Sequence, residues 1–460
     1  MIMRITASLI AVSLASGCVS PRAGLDRVHA ALGPSLARDL EVPEGSADAR
    51  VRELLARPIG AEDAVRVALL SNPEVQASLA RIGVARGQLL SASLLPNPVA
   101  DAAIYLGDEV EMEGALLFDL TGMLRTPLGR HAAEADLAAE AASAALSILE
   151  LAYATRVAFV RYQADRRARE VLETVVEASR ASWEAAQILR DAGNISALEV
   201  SQEEALYQEA RLALTAAELR MLESREALNV WMGRYGEGTE WEAEPELAAP
   251  PAEELSLERL EARAVEASVA LAMLRDRMSA AGQQVVLART ASALPSIRAG
   301  VALRREDQEW SAGPALALTL PIFGQGQGAL MAQEARFGVL EQEYAARAIR
   351  LRALVRRARN RMVIARERER FLRETLLPLR QRVVSETVAQ QNAMNASVFQ
   401  ILAARRAELA SALDHVEASR EYWTARAALD QLLAGGWVEL GEVSAVTMPG
   451  ESYERPALGR

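Results

Sequence analysis

The chain has 460 residues, a formal net charge of −11, three histidines and a single cysteine. One thiol excludes a disulfide framework and a thiolate metal site, and the acidic balance gives a nucleic-acid partner no electrostatic support. Aromatic residues make up 4% of the chain and apolar residues 51%, much of that alanine, a composition that reads as long, closely packed helices.

The chain opens with Arg4, an apolar run and the small residues Ala15, Ser16 and Gly17 before Cys18. This is the layout of a secretory signal peptide over residues 1–17, and its apolar run is shorter than the ~20 residues of a spanning helix. A cysteine directly after small residues resembles the lipobox of bacterial lipoproteins. That resemblance implies that Cys18 is the first mature residue and carries a thioether to diacylglycerol. Val19, where retained lipoproteins have aspartate, implies the outer membrane. Leu14 stands one place further from Cys18 than the preferred leucine, and an ordinary signal with an incidental cysteine is the alternative. Residues 18–58 form an N-terminal segment without a strong pattern, and no later apolar run reaches the ~18 residues of a transmembrane helix.

From residue 59 the chain is written twice. "LLPNPVADAAIYL" near residue 100 answers "ALPSIRAGVALRR" near residue 300; Asn194 answers Asn395, Ser196 answers Ser397 and Gly233 answers Gly435. The first repeat spans 59–234 and the second 256–437. An acidic, proline-rich linker at 235–255 joins them around the outside, and a tail follows at 438–460. Such self-similarity marks a repeat architecture.

Within the first repeat, a short helix stops at Ser71-Asn72-Pro73, with Ser71 expected to cap the next helix. Val75, Leu79, Ile82 and Leu89 keep helical spacing up to Pro96. The period then falls to two: Ala100, Ala102, Ile104 and Leu106 share one face and Gly114, Leu116, Phe118 and Leu120 share another, predicting a hairpin within 98–123. The second hairpin, within 296–323, sets Ile297, Ala299, Val301 and Leu303 against Arg298, Gly300, Ala302 and Arg304. Turns at "RTPLGR" and "PIFGQGQG" should then lead into long helices, His131 to Asp191 and Ala329 to Gln391, the latter kinked at Pro378. "DAGNIS" and "NAMNAS" break them, and return helices capped by Ser196 and Ser397 run to about Met232 and Leu433. Helices this long find partners of their own size only in one another, as coiled-coil hairpins.

Each strand has the length of a tilted membrane strand, and four strands cannot close a barrel, so several chains must pool them. Arg298 and Arg304 fit a water-filled lumen. In this order and in duplicate, "SNPEVQASLARIGVARGQLLSASLLPNP", "GPALALTLPIFGQGQG" and "GNISALEVSQEEALYQEARLAL" with its later copy resemble the TolC-type outer-membrane efflux factors, over about residues 59 to 437. The resemblance implies a mainly α fold with a membrane β-barrel: a homotrimer with a twelve-strand barrel on a twelve-helix tunnel. It implies a passive outer-membrane exit duct, lipid-anchored and extending into the periplasm. Its partners would be a periplasmic adaptor and an inner-membrane pump, often of the RND type.

No enzyme motif and no cofactor is expected beyond the lipid on Cys18. His29, His131 and His415 are far apart in sequence, "GQGQG" lacks the lysine of a phosphate loop, and the charged run from Met362 to Glu374 reads as a solvated helix face with intrahelical pairs. By the resemblance, the two helical turns form the periplasmic tip. Gly193, Asn194, Ser196, Asn395 and Ser397 are the candidate adaptor contacts. Asp191, Glu184 and Glu386 are candidates for acid rings at a constriction, where three copies would favour cations; a solvated helix face is the simpler alternative for each. A periplasmic coiled-coil adaptor or scaffold lipoprotein is the competing function, disfavoured by two helical hairpins and too little strand sequence.

Overall fold

The computed structural model describes residues 20, 22–40, 45–106, 110–245, 247–251, 258–293, 296–306, 309–319 and 322–439. Cys18, the signal-type segment before it and the tail beyond Glu439 lie outside the described residues.

Two helices occupy the segment that looked patternless. α1 (Leu25–Leu40) bends at Gly33, and α2 (Ala47–Leu55) follows. Their apolar residues at helical spacing, Val28 with Leu32 and Val51 with Leu54, are buried against the helices that come after. α3 (Ala61–Ser71) and α4 (Pro73–Ser93) meet at Asn72. Asn72, not Ser71, is the cap: its side chain accepts from the Glu74 amide at 2.8 Å, and Pro73 sits where a helix has a spare donor. The Ser71 hydroxyl instead donates to the Val67 and Met232 carbonyls at 2.7 and 2.8 Å.

The strands are β1 (Val99–Leu106), β2 (Val110–Asp119), β3 (Ser296–Glu306) and β4 (Glu309–Thr319). They form one antiparallel sheet in the order β1-β2-β3-β4, so the two hairpins, about 200 residues apart in sequence, are joined through β2 and β3. Leu116 lies opposite Val301 and Gly114 opposite Leu303.

α5 (Leu120–Asp191) is one helix of 72 residues, roughly 110 Å long at 1.5 Å per residue. It begins eleven residues before the expected His131, so "RTPLGR" is helix and Leu120 leaves the strand. The reason is local. The Asp119 carboxylate caps the Gly122 amide at 2.8 Å, and Pro127 then costs the helix one backbone bond, a small fraction of its ladder. The second repeat keeps its turn: β4 ends at Thr319, Ile322 is loop, and α9 (Gln327–Phe371) starts after Gly326. An 18-residue stretch of α5 is apolar enough to span a bilayer, but 61% of it is buried inside the chain, as in a core helix.

α6 (Ala197–Trp231) returns from α5. In the second repeat α7 (Leu260–Ala267) and α8 (Val269–Ala293) precede the hairpin, and α11 (Val398–Leu433) returns. Between α9 and α10 (Leu377–Asn392) lies a π-helical turn, Leu372–Leu376. It accommodates Pro378, whose ring would collide with the carbonyl four residues back in an ideal α-helix; widening that turn re-registers the backbone.

α5 packs against α4, α6, α8 and α11; α9 packs against α8 and α11; α10 packs against α11. The helices therefore lie in layers of four: α4, α5, α8, α9 next to the sheet, and α6, α5, α11, α9–α10 away from it. Alanines such as Ala141, Ala145 and Ala152 of α5 are fully buried and let the backbones approach. Larger apolar groups (Phe159, Tyr162, Leu228 and Trp241 in one cluster, Leu351, Met362, Tyr422 and Leu429 in another) fill the mid-length core.

The acidic linker crosses this core. It pairs with Ile59 through the Glu242 carbonyl and Glu244 amide at 2.9 and 3.0 Å. Arg166 of α5 donates to the carbonyls of Ala243, Glu244 and Pro245. Trp423 of α11 donates to Ala248 at 2.7 Å, and Arg366 of α9 to Pro251 at 2.9 Å.

Also on α5, Asp165 is half-buried, and its Oδ2 has no hydrogen-bond partner among the described residues. Burial pushes its carboxyl above the usual aspartate range, opposed by the Ser224 hydroxyl and by Arg161, Arg420 and Arg220. The folded chain thus holds this proton more tightly than the unfolded one. The group adds stability in acid, and that contribution is lost as pH rises through the raised folded value. Asp165→Asn is therefore expected to raise the thermal midpoint at about pH 7.5 and to leave it nearly unchanged at about pH 2.5, where aspartate is protonated in both states. A lower midpoint at both pH values would contradict this account.

Candidate functional site: a two-faced sheet and a pair of helical tips

The register sorts the sheet into two chemically distinct faces. Ala100, Ala102, Ile104, Met112, Gly114, Leu116, Phe118, Ile297, Ala299, Val301, Leu303, Ala312, Pro314, Leu316 and Leu318 fall on one side. Ile104, Leu116, Phe118, Val301, Leu303, Leu316 and Leu318 are all exposed. Both apolar sets read from the first hairpin thus belong to one surface. The opposite face carries Asp101, Glu111, Glu113, Arg298, Arg304, Ser311 and Thr319. Arg304 sits directly opposite Glu113, and its guanidinium is 3.5 Å from both the Glu111 and Glu113 carboxylates. Arg298 lies opposite Asp119. At the end of the strands away from the helices, Arg305 pairs with Trp310 on the apolar side, the amphipathic combination that sits at a membrane–water boundary.

The other end of the molecule is built twice from one plan. At the end of α5, Gly193 takes φ +76° and the Asn194 amide donates to the Leu189 carbonyl at 2.8 Å. The Ser196 hydroxyl accepts from the Glu199 amide while the Glu199 carboxylate accepts from the Ser196 amide, a capping box. At the end of α10, Met394 takes φ +58°, the Asn395 amide donates to Gln390 at 2.8 Å, and Ser397 and Gln400 form the second capping box. Gly193, Asn194, Ser196, Asn395 and Ser397 are all exposed. The hairpins are tied together close to their turns: Glu203 of α6 accepts from Ser182 of α5 at 2.5 Å and from Arg406 of α11 at 3.3 Å. Met394, almost wholly exposed in a left-handed conformation, is a tip residue that sequence reading missed; its signal was its alignment with Gly193.

The three candidate acids stand differently. Glu184 is bonded to Arg180 and Asp191 to Arg190, each at 2.8 Å. Glu386 of α10 is exposed and makes no ion pair among the described residues. The histidines are not all isolated: His415 Nε2 of α11 lies 3.2 Å from Glu369 Oε1, a buried carboxylate of α9 that Arg373 also contacts at 3.2 Å. This pairing across two helices has no trace in sequence spacing.

No family model and no curated protein matches the chain. Solved structures do. The chain superposes on CusC with a TM-score of 0.69 at 15% identity, covering 82% of this chain and 92% of that one. It superposes on the outer membrane protein VceC from Vibrio cholerae with 0.67 at 17% identity (82% and 97%), and on the outer-membrane channel OprN with 0.68 at 16% identity (92% and 97%). The fold is that of a TolC-type outer-membrane efflux channel. The likeness runs through the long helices and the small antiparallel sheet alike. The sheet lies at one end of the long helices and the two capped turns at the other. The matched proteins are channels rather than enzymes.

Proposed function

We propose that three copies of this chain pool their sheets into a twelve-stranded outer-membrane barrel set on a twelve-helix tunnel, forming the passive exit duct of an efflux system. The observation that carries this reading is the two-faced sheet. Four strands bury neither face; one face is apolar and exposed, the other holds ion pairs, and β1 and β4 are left as open edges. In water the apolar face would be a large aggregation-prone patch, and in lipid the open edges would be intolerable unless other copies paired them. A soluble scaffold function would leave both problems unsolved.

The helices support the same closure. α6 forms one border of the lower layer and exposes Leu198, Leu212, Leu219 and Leu222; α9 and α10 form the other and expose Ile349, Ile364, Phe371 and Leu379. Each stripe suits its counterpart on a neighbouring copy.

In this reading Cys18 carries the lipid anchor. The tip residues Gly193, Asn194, Ser196, Asn395 and Ser397 dock a periplasmic adaptor serving an inner-membrane pump, of the RND type by fold analogy. Of the candidate acids, Glu386 contributes most to a ring at the constriction, because Glu184 and Asp191 are each offset by a neighbouring arginine.

The test is the native mass of the full chain extracted from outer membranes in mild detergent, followed by conductance in planar bilayers. Three chains per particle and a cation-preferring pore are expected, with the preference reduced several-fold in Glu386→Gln and less in Glu184→Gln. A monomer, or protein found only in the soluble periplasm, would overturn the duct.

A further inference from the structure

Six exposed apolar side chains gather where the sheet meets the helices, beyond the strands themselves: Leu94 and Leu95 before β1, Leu120 and Leu124 opening α5, and Ile322 and Phe323 after β4. Four of them sit at the borders of the chain. Phe323 is 97% exposed, Ile322 68%, Leu94 52% and Leu95 47%, far more than apolar groups of this size keep when their surroundings are complete.

Their placement names the partner. β1 and β4 are the two open edges of the sheet, and they run in opposite directions. The start of β1 and the end of β4 therefore lie at the same, helical end. Leu95 stands four residues before Val99, where β1 begins; Phe323 stands four residues after Thr319, where β4 ends. If β4 of one copy pairs with β1 of the next, both apolar pairs lie at the helical end of the shared seam. The helices continue the seam without a break, since α4 enters β1 on one border and α9 leaves β4 on the other. Within one chain the two pairs lie beyond opposite edges, at least three interstrand spacings or about 14 Å apart, so only another copy can bring them together.

We propose that Ile322 and Phe323 of one copy seat against Leu94 and Leu95 of the next, an apolar clasp that locks each seam at the base of the barrel. The proposal rests on the trimeric reading above and adds to it the residues that hold the copies in register. Sealing matters there, because the strand ladder stops just above and the helix layers begin just below; an open seam would admit water and lipid between copies.

The experiment is disulfide trapping in the full-length protein in outer membranes. Leu95→Cys and Phe323→Cys are made singly and together, with native Cys18 present in every variant as the common background. Oxidation of the double variant should give a covalent ladder that ends at three chains, and the single variants should stay as monomers on denaturing gels. The reach of a disulfide, about 7 Å between Cα atoms, excludes an intrachain bridge. Phe323→Ala should lower the temperature at which the assembly dissociates without changing its native mass. A double variant that is trimeric by native mass yet gives no ladder would overturn the clasp and assign these residues to lipid contact. A double variant that is not trimeric, alongside a wild type that is not either, would overturn the shared barrel and the clasp with it.

Discussion

Gly300→Val is expected to abolish assembly in the outer membrane while leaving the helical content intact. A Cβ at Gly300 would lie 1.7 Å from the Leu116 carbonyl oxygen and 2.9 Å from the Leu117 Cα. Both are backbone atoms of the facing strand and cannot swing aside. Gly300 is paired with Leu117 in the β2–β3 ladder, the one pairing that joins the two hairpins. Forcing those strands apart splits the sheet and creates two further edges, each a row of amides and carbonyls without partners. In hydrocarbon each such group costs several kcal/mol, so a few unmade bonds outweigh a typical folding stability of about 5–15 kcal/mol. The helices bury their cores elsewhere and should persist. Far-UV circular dichroism of the variant should therefore resemble the parent, while the heat-sensitive oligomer disappears from outer-membrane fractions. Gly114→Ala is the control: the nearest atom to its Cβ is 3.6 Å away, an ordinary contact, so assembly should survive. An assembled Gly300→Val oligomer would refute this account of the sheet.

The second large effect is expected at a joint the chain builds twice. Gly233 follows α6 with φ +65°, and its Cβ position lies 2.7 Å from the Asn72 Cα and 2.9 Å from the Ser71 carbonyl. Gly435 follows α11 with φ +93°, and its Cβ position lies 2.3 Å from the Ala267 carbonyl. Each return helix thus ends in a left-handed glycine pressed against the junction of the two short helices of its repeat: α3–α4 in the first, α7–α8 in the second. Hydrogen bonds fasten both joints. Asn72 donates to the Trp231 carbonyl at 2.9 Å, and the Val269 amide donates to the Gly435 carbonyl at 3.0 Å. An alanine meets two costs at once: about 1–2 kcal/mol for the left-handed conformation, and a backbone collision that can be relieved only by moving the helix end. Gly435→Ala and Gly233→Ala should each lose more than about 3 kcal/mol, the range of severe single substitutions, read as a thermal midpoint lowered by several degrees and a reduced steady-state level. Gly436→Ala separates the causes, because its close neighbour is the flexible Gln431 side chain rather than backbone; a loss as large there would argue against the joint.

The particular elements show which parts of this molecule can be read from neighbours in sequence. The capped turns could be, because a capping box spans three residues: Ser196 with Glu199 and Ser397 with Gln400 act within one helical turn. The period-two runs could be, because alternation is a property of a single strand. α1 and α2 were missed because each shows only one pair of buried apolar residues, too short a sample of the period. The start of α5 was misplaced because proline and glycine at "RTPLGR" are turn formers on average, and the Asp119 cap upstream and the packing around the helix outweigh that average. The pairing of Glu369 with His415 had no signal, since the residues lie on different helices 46 positions apart.

By itself, then, the sequence determined the duplication, the long helices, the alternation along each strand and the capped tips; the last three are set by interactions within a few residues of chain, while the register put both apolar sets of the first hairpin on one face. The tertiary structure alone decided that β2 pairs with β3, that the helices lie in layers of four with free borders, and that exposed apolar side chains flank the helical end of both open strands. Those facts depend on which distant surfaces meet, and local propensity has no term for that; it is set by where the buried area and the unpaired backbone of one segment find their complement in another.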